Sequence, residues 1–286
     1  MKTQKTWLIT GASRGFGLEI TKAVLESGDQ VIATVRSNPE QFISQFKDNK
    51  NLYAVTLDIT NENRTIEAVK LGIDHFGKID VLVNNAGYGI LGGVEETSDA
   101  EAKKNYEVNV FGTLNVIRAV LPYMRKEHSG HIINISSVGG LFGYVGWGIY
   151  GSTKFAIEGI TESLAQELAP LGIFATVVAP GFFRTGFLDT GSLISTEKII
   201  EDYDETVGTS RKNAKLYNRN QPGNPEKLAE AFVKLAASEK PPVHLPLGTD
   251  TYNMFNQKTA AFVAEMEEWK EVITGTDHED AVVAAH

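Results

Sequence analysis

TGASRGFG, residues 10–17, decides the fold. Before it runs TWLIT (6–10), short and apolar, which reads as a strand. After it runs FGLEITKAVLESG (16–28), whose apolar residues recur at helical spacing. Gly11, Gly15 and Gly17 therefore lie where a strand hands over to a helix. Backbone N–H groups and the helix dipole at such a turn attract phosphate. A tight turn that needs glycine only for its backbone angles is the competing reading. Arg14 stands among these glycines, a cation where an anion is expected to approach.

The alternation continues outward from this turn. Further strand candidates are QVIATV (30–35), LYAVTL (52–57), DVLVN (80–84), HIINIS (131–136), FATVVA (174–179) and VHLPL (243–247). Most are β-branched and apolar, as strands covered on both faces should be. Helical patterns fill the intervals at about 16–28, 62–76, 99–127, 149–170, 225–238 and 250–272. Strand, helix, strand in repetition predicts an α/β fold: a single doubly wound parallel sheet with helices on both faces. One domain over 1–247 is expected, with an added C-terminal helix at 248–273 and a tail at 274–286. The stretch 181–224 breaks the rhythm, and its part 181–215 is expected to act as a mobile lid.

Composition narrows the function classes. The 286 residues are 42% hydrophobic and 22% charged, with a net charge of −9. An acidic chain without basic runs is a poor partner for nucleic acid or an anionic membrane, so neither is expected. No cysteine is present, which excludes disulfides, thiolate metal sites and cysteine nucleophiles. No apolar run approaches the ~18 residues of a membrane span, and no leader pattern precedes the glycine turn. A cytoplasmic protein is expected. The six histidines show no metal-ligand spacing, so no metal site is expected.

The glycine spacing is TGxxxGxG, and it is joined by NNAG at 84–87 and by YGSTK at 150–154. Together these resemble the short-chain dehydrogenase/reductase family from the first strand to about residue 247. The resemblance implies a Rossmann-like fold and a nicotinamide cofactor. An NAD site usually carries Asp or Glu about 20 residues beyond the glycines, but VIATVRSN ends in Val35 and Arg36 with no carboxylate. Guanidinium matches phosphate geometry, and the family's NADP-preferring members use this pair of basic positions. Arg14 and Arg36, with Ser13 and Ser37, are thus expected to hold the 2′-phosphate of NADP(H), with NAD(H) a weaker alternative. Two solvated surface arginines is the competing reading. Around the turn, Gly11, Gly15, Phe16 and Gly17 should face the cofactor. By the same resemblance Asp58 and Ile59 should meet the adenine, and Asn85, Ala86 and Gly87 the ribose. Pro180, Gly181, Phe183 and Thr185 of PGFFRT should meet the nicotinamide. The NNAG asparagines could equally tie the fourth strand to its neighbours.

Tyr150 and Lys154, four apart, share one helix face. HIINISS brings Ser136 and Ser137 to the carboxyl edge of the sheet, and the family spacing selects Ser137. Asn109 matches the family's catalytic asparagine, which bends its helix and holds a water; a structural asparagine is the alternative. Reducing a carbonyl leaves an alkoxide that needs a proton. Tyr150 can supply it, and a nearby lysine ammonium is expected to lower the phenol pKa. Ser137 would orient the substrate oxygen. Tyr88, Ile90, Leu91, Leu141, Phe142, Tyr144, Trp147, Phe182, Phe187 and Leu188 form the candidate pocket, and Arg184 leaves room for an anionic group on the substrate. The expected activity is NADPH-dependent carbonyl reduction, reversible as secondary-alcohol oxidation, on a small hydrophobic carbonyl or alcohol. Alternatives are a steroid- or retinoid-like alcohol dehydrogenase, a non-catalytic NADP-sensing regulator and, disfavoured by length, a sugar-nucleotide epimerase. The family's habit of packing through the Tyr150 helix and its predecessor implies a homodimer or homotetramer.

Overall fold

The computed structural model describes residues 3–47 and 49–278. The chain opens with β1 (Thr6–Ile9), α1 (Gly15–Glu26), β2 (Gln30–Val35), α2 (Pro39–Ser44) and β3 (Leu52–Thr56). It continues with α3 (Glu62–Phe76), β4 (Val81–Asn84), β5 (Gly89–Leu91) and α4 (Asp99–Tyr106). Then follow α5 (Thr113–Glu127), β6 (Gly130–Ile135), α6 (Gly148–Leu168) and β7 (Ile173–Pro180). The last elements are β8 (Leu193–Ser195), α7 (Thr209–Tyr217), α8 (Pro225–Ala237), β9 (His244–Leu247), α9 (Thr249–Glu268) and α10 (Lys270–Thr274).

Seven strands form one parallel sheet in the order β3-β2-β1-β4-β6-β7-β9. Its central strands are apolar because helices cover both faces. On one side Ile20, Val24 and Leu25 of α1 meet Leu228, Phe232 and Leu235 of α8 over Trp7, Ile9 and Val83. On the other, Ala68 and Val69 of α3, Val116 and Val120 of α5 and Leu168 of α6 cover Leu8, Ile32, Leu82 and Ile132. Chain order reverses between β1 and β4, and ligands in open α/β sheets bind at the carboxyl ends of strands at such a switch point.

The predicted strands and the doubly wound sheet are all present. The single helical pattern at 99–127 is instead α4, a π-helical turn Glu107–Gly112 and α5. An extra residue per turn leaves no trace in apolar spacing this short. α2, α7 and the small parallel pair β5–β8 were not legible either. β5 and β8 are three residues each, below the length at which alternation can be read. The 181–224 stretch is therefore a folded segment carrying β8 and α7. The added C-terminal helix runs as α9 and breaks at Trp269 before α10. α10 extends into the expected tail, whose residues from 279 lie outside those described.

One buried ion pair fastens this segment to the body. Glu96, with no exposed side-chain surface, meets Arg211 of α7 at 2.5 Å. The same carboxylate accepts from Gly93 N at 2.7 Å and Ile200 N at 2.9 Å. Breaking a buried pair leaves an uncompensated charge. Glu96→Ala should cost about 3 kcal/mol in urea unfolding, the low end of the buried-pair range because Arg211 keeps some solvent. Arg64→Ala, at the exposed pair Arg64–Glu67, should leave the midpoint unchanged within error.

Candidate active site

The turn after β1 is held from below. Thr10 Oγ1 accepts from Asn85 N and Ala86 N, both at 3.0 Å. Asn85 Nδ2 donates to Thr10 O at 2.8 Å and to Gly11 O at 3.0 Å. Gly11 and Gly15 take the left-handed backbone, at φ 65° and 56°. A Cβ on Gly17 would lie 2.4 Å from Gly11 O, so α1 approaches this closely only without a side chain there. A Cβ on Gly15 would have nothing within 4 Å, so the outer face of the turn is open where a phosphate would lie. Asn84 Nδ2 donates to Asn134 Oδ1 at 2.8 Å, and Asn134 Nδ2 to Thr161 Oγ1 at 2.9 Å. Thus Asn84 ties β4 to β6, while Asn85 ties it to the glycine turn.

Ser13, Arg14, Arg36 and Ser37 all lie exposed at the ends of β1 and β2. Arg14 is the N-cap of α1, and its Nη2 donates to Gly191 O at 2.6 Å. Asp58 is exposed and accepts from Thr60 N and Oγ1 at 3.0 and 2.8 Å. Ile59 turns into the core, and its carbonyl accepts from Asn115 Nδ2 at 3.0 Å. Pro180 ends β7, and Gly181 N donates to Leu247 O at 2.9 Å. Phe183 meets Phe16 edge-on at 5.4 Å, joining this loop to the glycine turn. Thr185 Oγ1 accepts from Phe187 N at 3.2 Å.

Tyr150 and Lys154 lie one turn apart near the start of α6, and both are buried. Lys154 Nζ sits 5.8 Å from the Tyr150 ring centroid and donates to Ile135 O at 2.9 Å. Ser137 borders the Tyr150 phenol and pulls its pKa down, and Ser137 Oγ accepts from Gly139 N at 3.1 Å. Ser136 faces away, its Oγ donating to Lys154 O at 3.3 Å. Asn109 lies in the π turn. Its Oδ1 accepts from Tyr88 N, and its Nδ2 donates to Tyr88 O, each at 3.0 Å, and to Thr153 Oγ1 at 3.1 Å. The asparagine side chain is thereby clamped between β5 and α6. A Cβ on Gly87 would stand 3.0 Å from Asn109 Oδ1 and 3.7 Å from Lys154 Nζ, so Gly87 lets the backbone pass both.

Burial sets the charges. It pushes the Tyr150 phenol up to about 12 against the pull of Ser137. It pushes Lys154 down to about 8, with the Glu158 charge resisting. The lysine was expected to lower the phenol; in the chain by itself desolvation of the phenolate is the larger effect. Tyr150 therefore holds its proton at neutral pH, as an acid must.

Aromatic rings roof the phenol. Trp147 stands 5.8 Å from the Tyr150 ring and Phe187 5.6 Å. Tyr144 reaches Phe182 at 6.3 Å and Phe142 at 6.3 Å. Tyr88, Ile90 and Leu91 are buried on and beside β5, while Leu141 and Leu188 are half-buried. Arg184 Nε donates to Gln221 O at 3.1 Å, so this guanidinium is engaged with the chain that follows α7. Thr10 and Thr153 do positioning work that the sequence reading missed. Each is a hydroxyl beside a motif residue, the one signal that could have marked them. Among the described residues no three His, Cys, Asp or Glu side chains gather as a metal site, and no helix is long and apolar enough to cross a membrane.

Residues 5–192 match the family described as short chain dehydrogenase. A 3-ketodihydrosphingosine reductase from Bacteroides thetaiotaomicron is 39% identical over 84% of this chain and 87% of its own length. A short-chain dehydrogenase from Streptomyces avermitilis superposes with a TM-score of 0.88 at 38% identity, covering 96% of this chain and all of that one. ElxO, solved with NADP bound, gives 0.71 at 29% identity, covering 85% and 97%.

The two glycines separate packing from backbone strain. Gly17→Ala should drive a methyl into Gly11 O, weaken dinucleotide binding more than tenfold and lower the melting temperature. Gly15→Ala meets no atom and should cost only the left-handed backbone penalty, about 1–2 kcal/mol. Calorimetric titration and thermal melts of the two variants check this.

Proposed function

The chain is an oxidoreductase of the short-chain dehydrogenase family, and from that premise we propose that it reduces ketones or aldehydes with NADPH and runs in reverse as a secondary-alcohol dehydrogenase. One observation carries the reading. A buried, protonated Tyr150 meets Ser137 and Lys154 at the carboxyl edge of the sheet, beside an open glycine turn and two exposed arginines. The relative named as a ketone reductase and the neighbour solved with NADP support the substrate and cofactor classes.

The residues fit the cofactor. The bare turn at Gly15 leaves room for a pyrophosphate against the α1 N-terminus, and Arg14 and Arg36 suit a 2′-phosphate. Lys154 and, through its Oδ1, Asn85 would meet ribose hydroxyls. When bound, the cofactor supplies the hydride. Tyr150 gives its phenolic proton to the substrate oxygen as negative charge builds there. Ser137 donates a hydrogen bond to the same oxygen and fixes its direction. The Lys154 ammonium then steadies the phenolate left on Tyr150. Trp147 and Phe187 keep water from the reacting atoms, and their apolar faces favour a substrate with a hydrophobic body. Phe187 covers Tyr150, so the 181–215 segment would have to move to admit substrate. The same reading has two or four copies meeting through the turn before α5 and through α6, where Phe111 and Phe155 are exposed.

Tyr150→Phe should keep fold and NADPH affinity and lose turnover by about 10²–10⁴-fold; near wild-type activity in a ketone screen followed by NADPH absorbance would end the mechanism. Arg36→Ala should weaken NADPH roughly tenfold or more, since a charge-assisted hydrogen bond contributes about 1.5–3 kcal/mol. NADH should be spared. Separate titrations of the two cofactors decide it, and an unchanged affinity ratio would remove Arg36 from the site.

A further inference from the structure

The helix added after β9 docks on the body by its first turns. Asp250, Met254 and Lys258 of α9 are spaced four apart and share one helix face. Each reaches a loop at the candidate pocket. Asp250 Oδ2 accepts from Phe182 N at 2.7 Å. Met254 Sδ accepts from the Tyr144 hydroxyl at 3.3 Å. Lys258 Nζ donates to Leu141 O and lies 5.5 Å from the centre of the Phe142 ring and 4.9 Å from that of Phe155. Past Lys258 the helix stands clear, with Phe262, Met266 and Trp269 exposed. Burial of its own apolar residues is therefore not what seats it.

Asp250 makes the most specific of these contacts. Its other oxygen, Oδ1, accepts from Thr251 N at 2.9 Å. A carboxylate in the first turn of a helix is favoured by the dipole whatever else it touches, and that is the competing reading. Two features go beyond it. Oδ2 leaves the helix for a backbone amide 68 positions earlier in the chain. A Cβ on Gly181 or on Gly248 would stand 2.3 Å from Oδ1, so the carboxylate fits here only because both residues lack side chains. Gly181 N donates to Leu247 O at 2.9 Å, so residues 247–250 grip two successive N–H groups. Phe182 O accepts from Gly223 N at 2.9 Å, which leaves both backbone groups of Phe182 engaged.

The gripped residues belong to PGFFRT, the segment expected against the nicotinamide. We propose that Asp250 is a positioning residue for the nicotinamide half of NADP(H): its carboxylate fixes the Phe182 amide, and with it the backbone of 181–185 on which that half would rest. This rests on the cofactor reading given above. The adenosine half would rest elsewhere, at the ends of β1 and β2 around the exposed Arg14 and Arg36. Loss of the Asp250 carboxylate should therefore be felt by one half of the cofactor and not by the other.

The test titrates wild type and Asp250→Ala by calorimetry with two probes: NADPH, and adenosine 2′,5′-bisphosphate, which lacks the nicotinamide half. Wild type should bind both. Asp250→Ala should weaken NADPH by about three- to tenfold, since a hydrogen bond to a charged group is worth roughly tenfold or more and part of the loss falls on the free loop. Its affinity for the bisphosphate should stay within error of wild type. Unchanged NADPH affinity, or an equal loss for both probes, overturns the proposal. So does a lowered melting temperature with an unchanged affinity ratio, the mark of a purely structural role. Should Asp250→Ala fail to fold, Asp250→Asn is read instead, which keeps the shape and one of the two acceptors. A smaller loss confined to NADPH supports the proposal, and no loss or an even one overturns it. Wild type that binds neither probe discards the cofactor reading itself, whereas wild type that binds both, with Asp250→Ala unchanged, discards Asp250 alone.

Discussion

Asn85 Nδ2 donates to two successive carbonyls, Thr10 O and Gly11 O, and the rest of the site hangs on that clamp. It locks the end of β4 to the turn after β1, across the point where strand order reverses. Gly17 completes it, because α1 can rest on Gly11 O only where no Cβ intervenes. The N-terminus of α1 is thus aimed over the sheet edge with its outer face bare. The NNAG segment that makes the clamp leads directly through Gly87 to β5, Asn109 and Lys154. The glycine turn and the Tyr150–Lys154 pair, on separate elements, are thus held in one frame by close backbone approach rather than by long side chains.

Desolvation is the second constraint, and it runs against the simplest expectation. A lysine near a tyrosine should stabilise the phenolate. Here both groups are buried, and each is driven toward its neutral form, the phenol up to about 12 and the ammonium down to about 8. The resting chain thereby stores a proton on Tyr150, the state that carbonyl reduction requires. Reversal demands a phenolate, so alcohol oxidation needs positive charge brought close to the phenol. Under the proposed function the oxidised cofactor would bring that charge, with Lys154 buried beside the phenol.

Much of this was legible because it rests on local chemistry. β-branched runs such as QVIATV and FATVVA can satisfy their packing only inside a covered sheet. Gly11 and Gly15 announce a left-handed backbone, and Tyr150 and Lys154 share a face by helix geometry alone. What stayed hidden depends on partners far apart in sequence. Glu96 and Arg211 read as surface charges until they meet across 115 positions. Asn109 sits in a π turn and bonds Tyr88 and Thr153, which no periodicity encodes. The sign of the Tyr150 shift depends on the roof made by Trp147 and Phe187, and burial of that kind is a property of the assembled fold.

Under the proposed function, water exclusion and substrate entry make opposite demands on residues 181–215. Phe187 packs on the Tyr150 ring, and under the proposed function it would leave that ring to admit substrate. The tethers are distributed along the segment. Thr196 and Ile200 are pinned near Glu96 and Arg211 at one end of the segment, and Phe183 is pinned to Phe16 at the other. Between them, residues 186–192 are held by Arg14 to Gly191 O, by Asp189 to Asn218 and Arg219, and by Gly89 N donating to O of the buried Ser192 at 2.8 Å. The Arg14 and Arg219 contacts are exposed and contribute little against solvent, so under the proposed function the Gly89–Ser192 bond is the stronger tether that a lift of the roof would have to break. The lift point includes Arg14, one of the two cations expected at the cofactor phosphate, and a phosphate arriving there would compete directly for the guanidinium that holds Gly191.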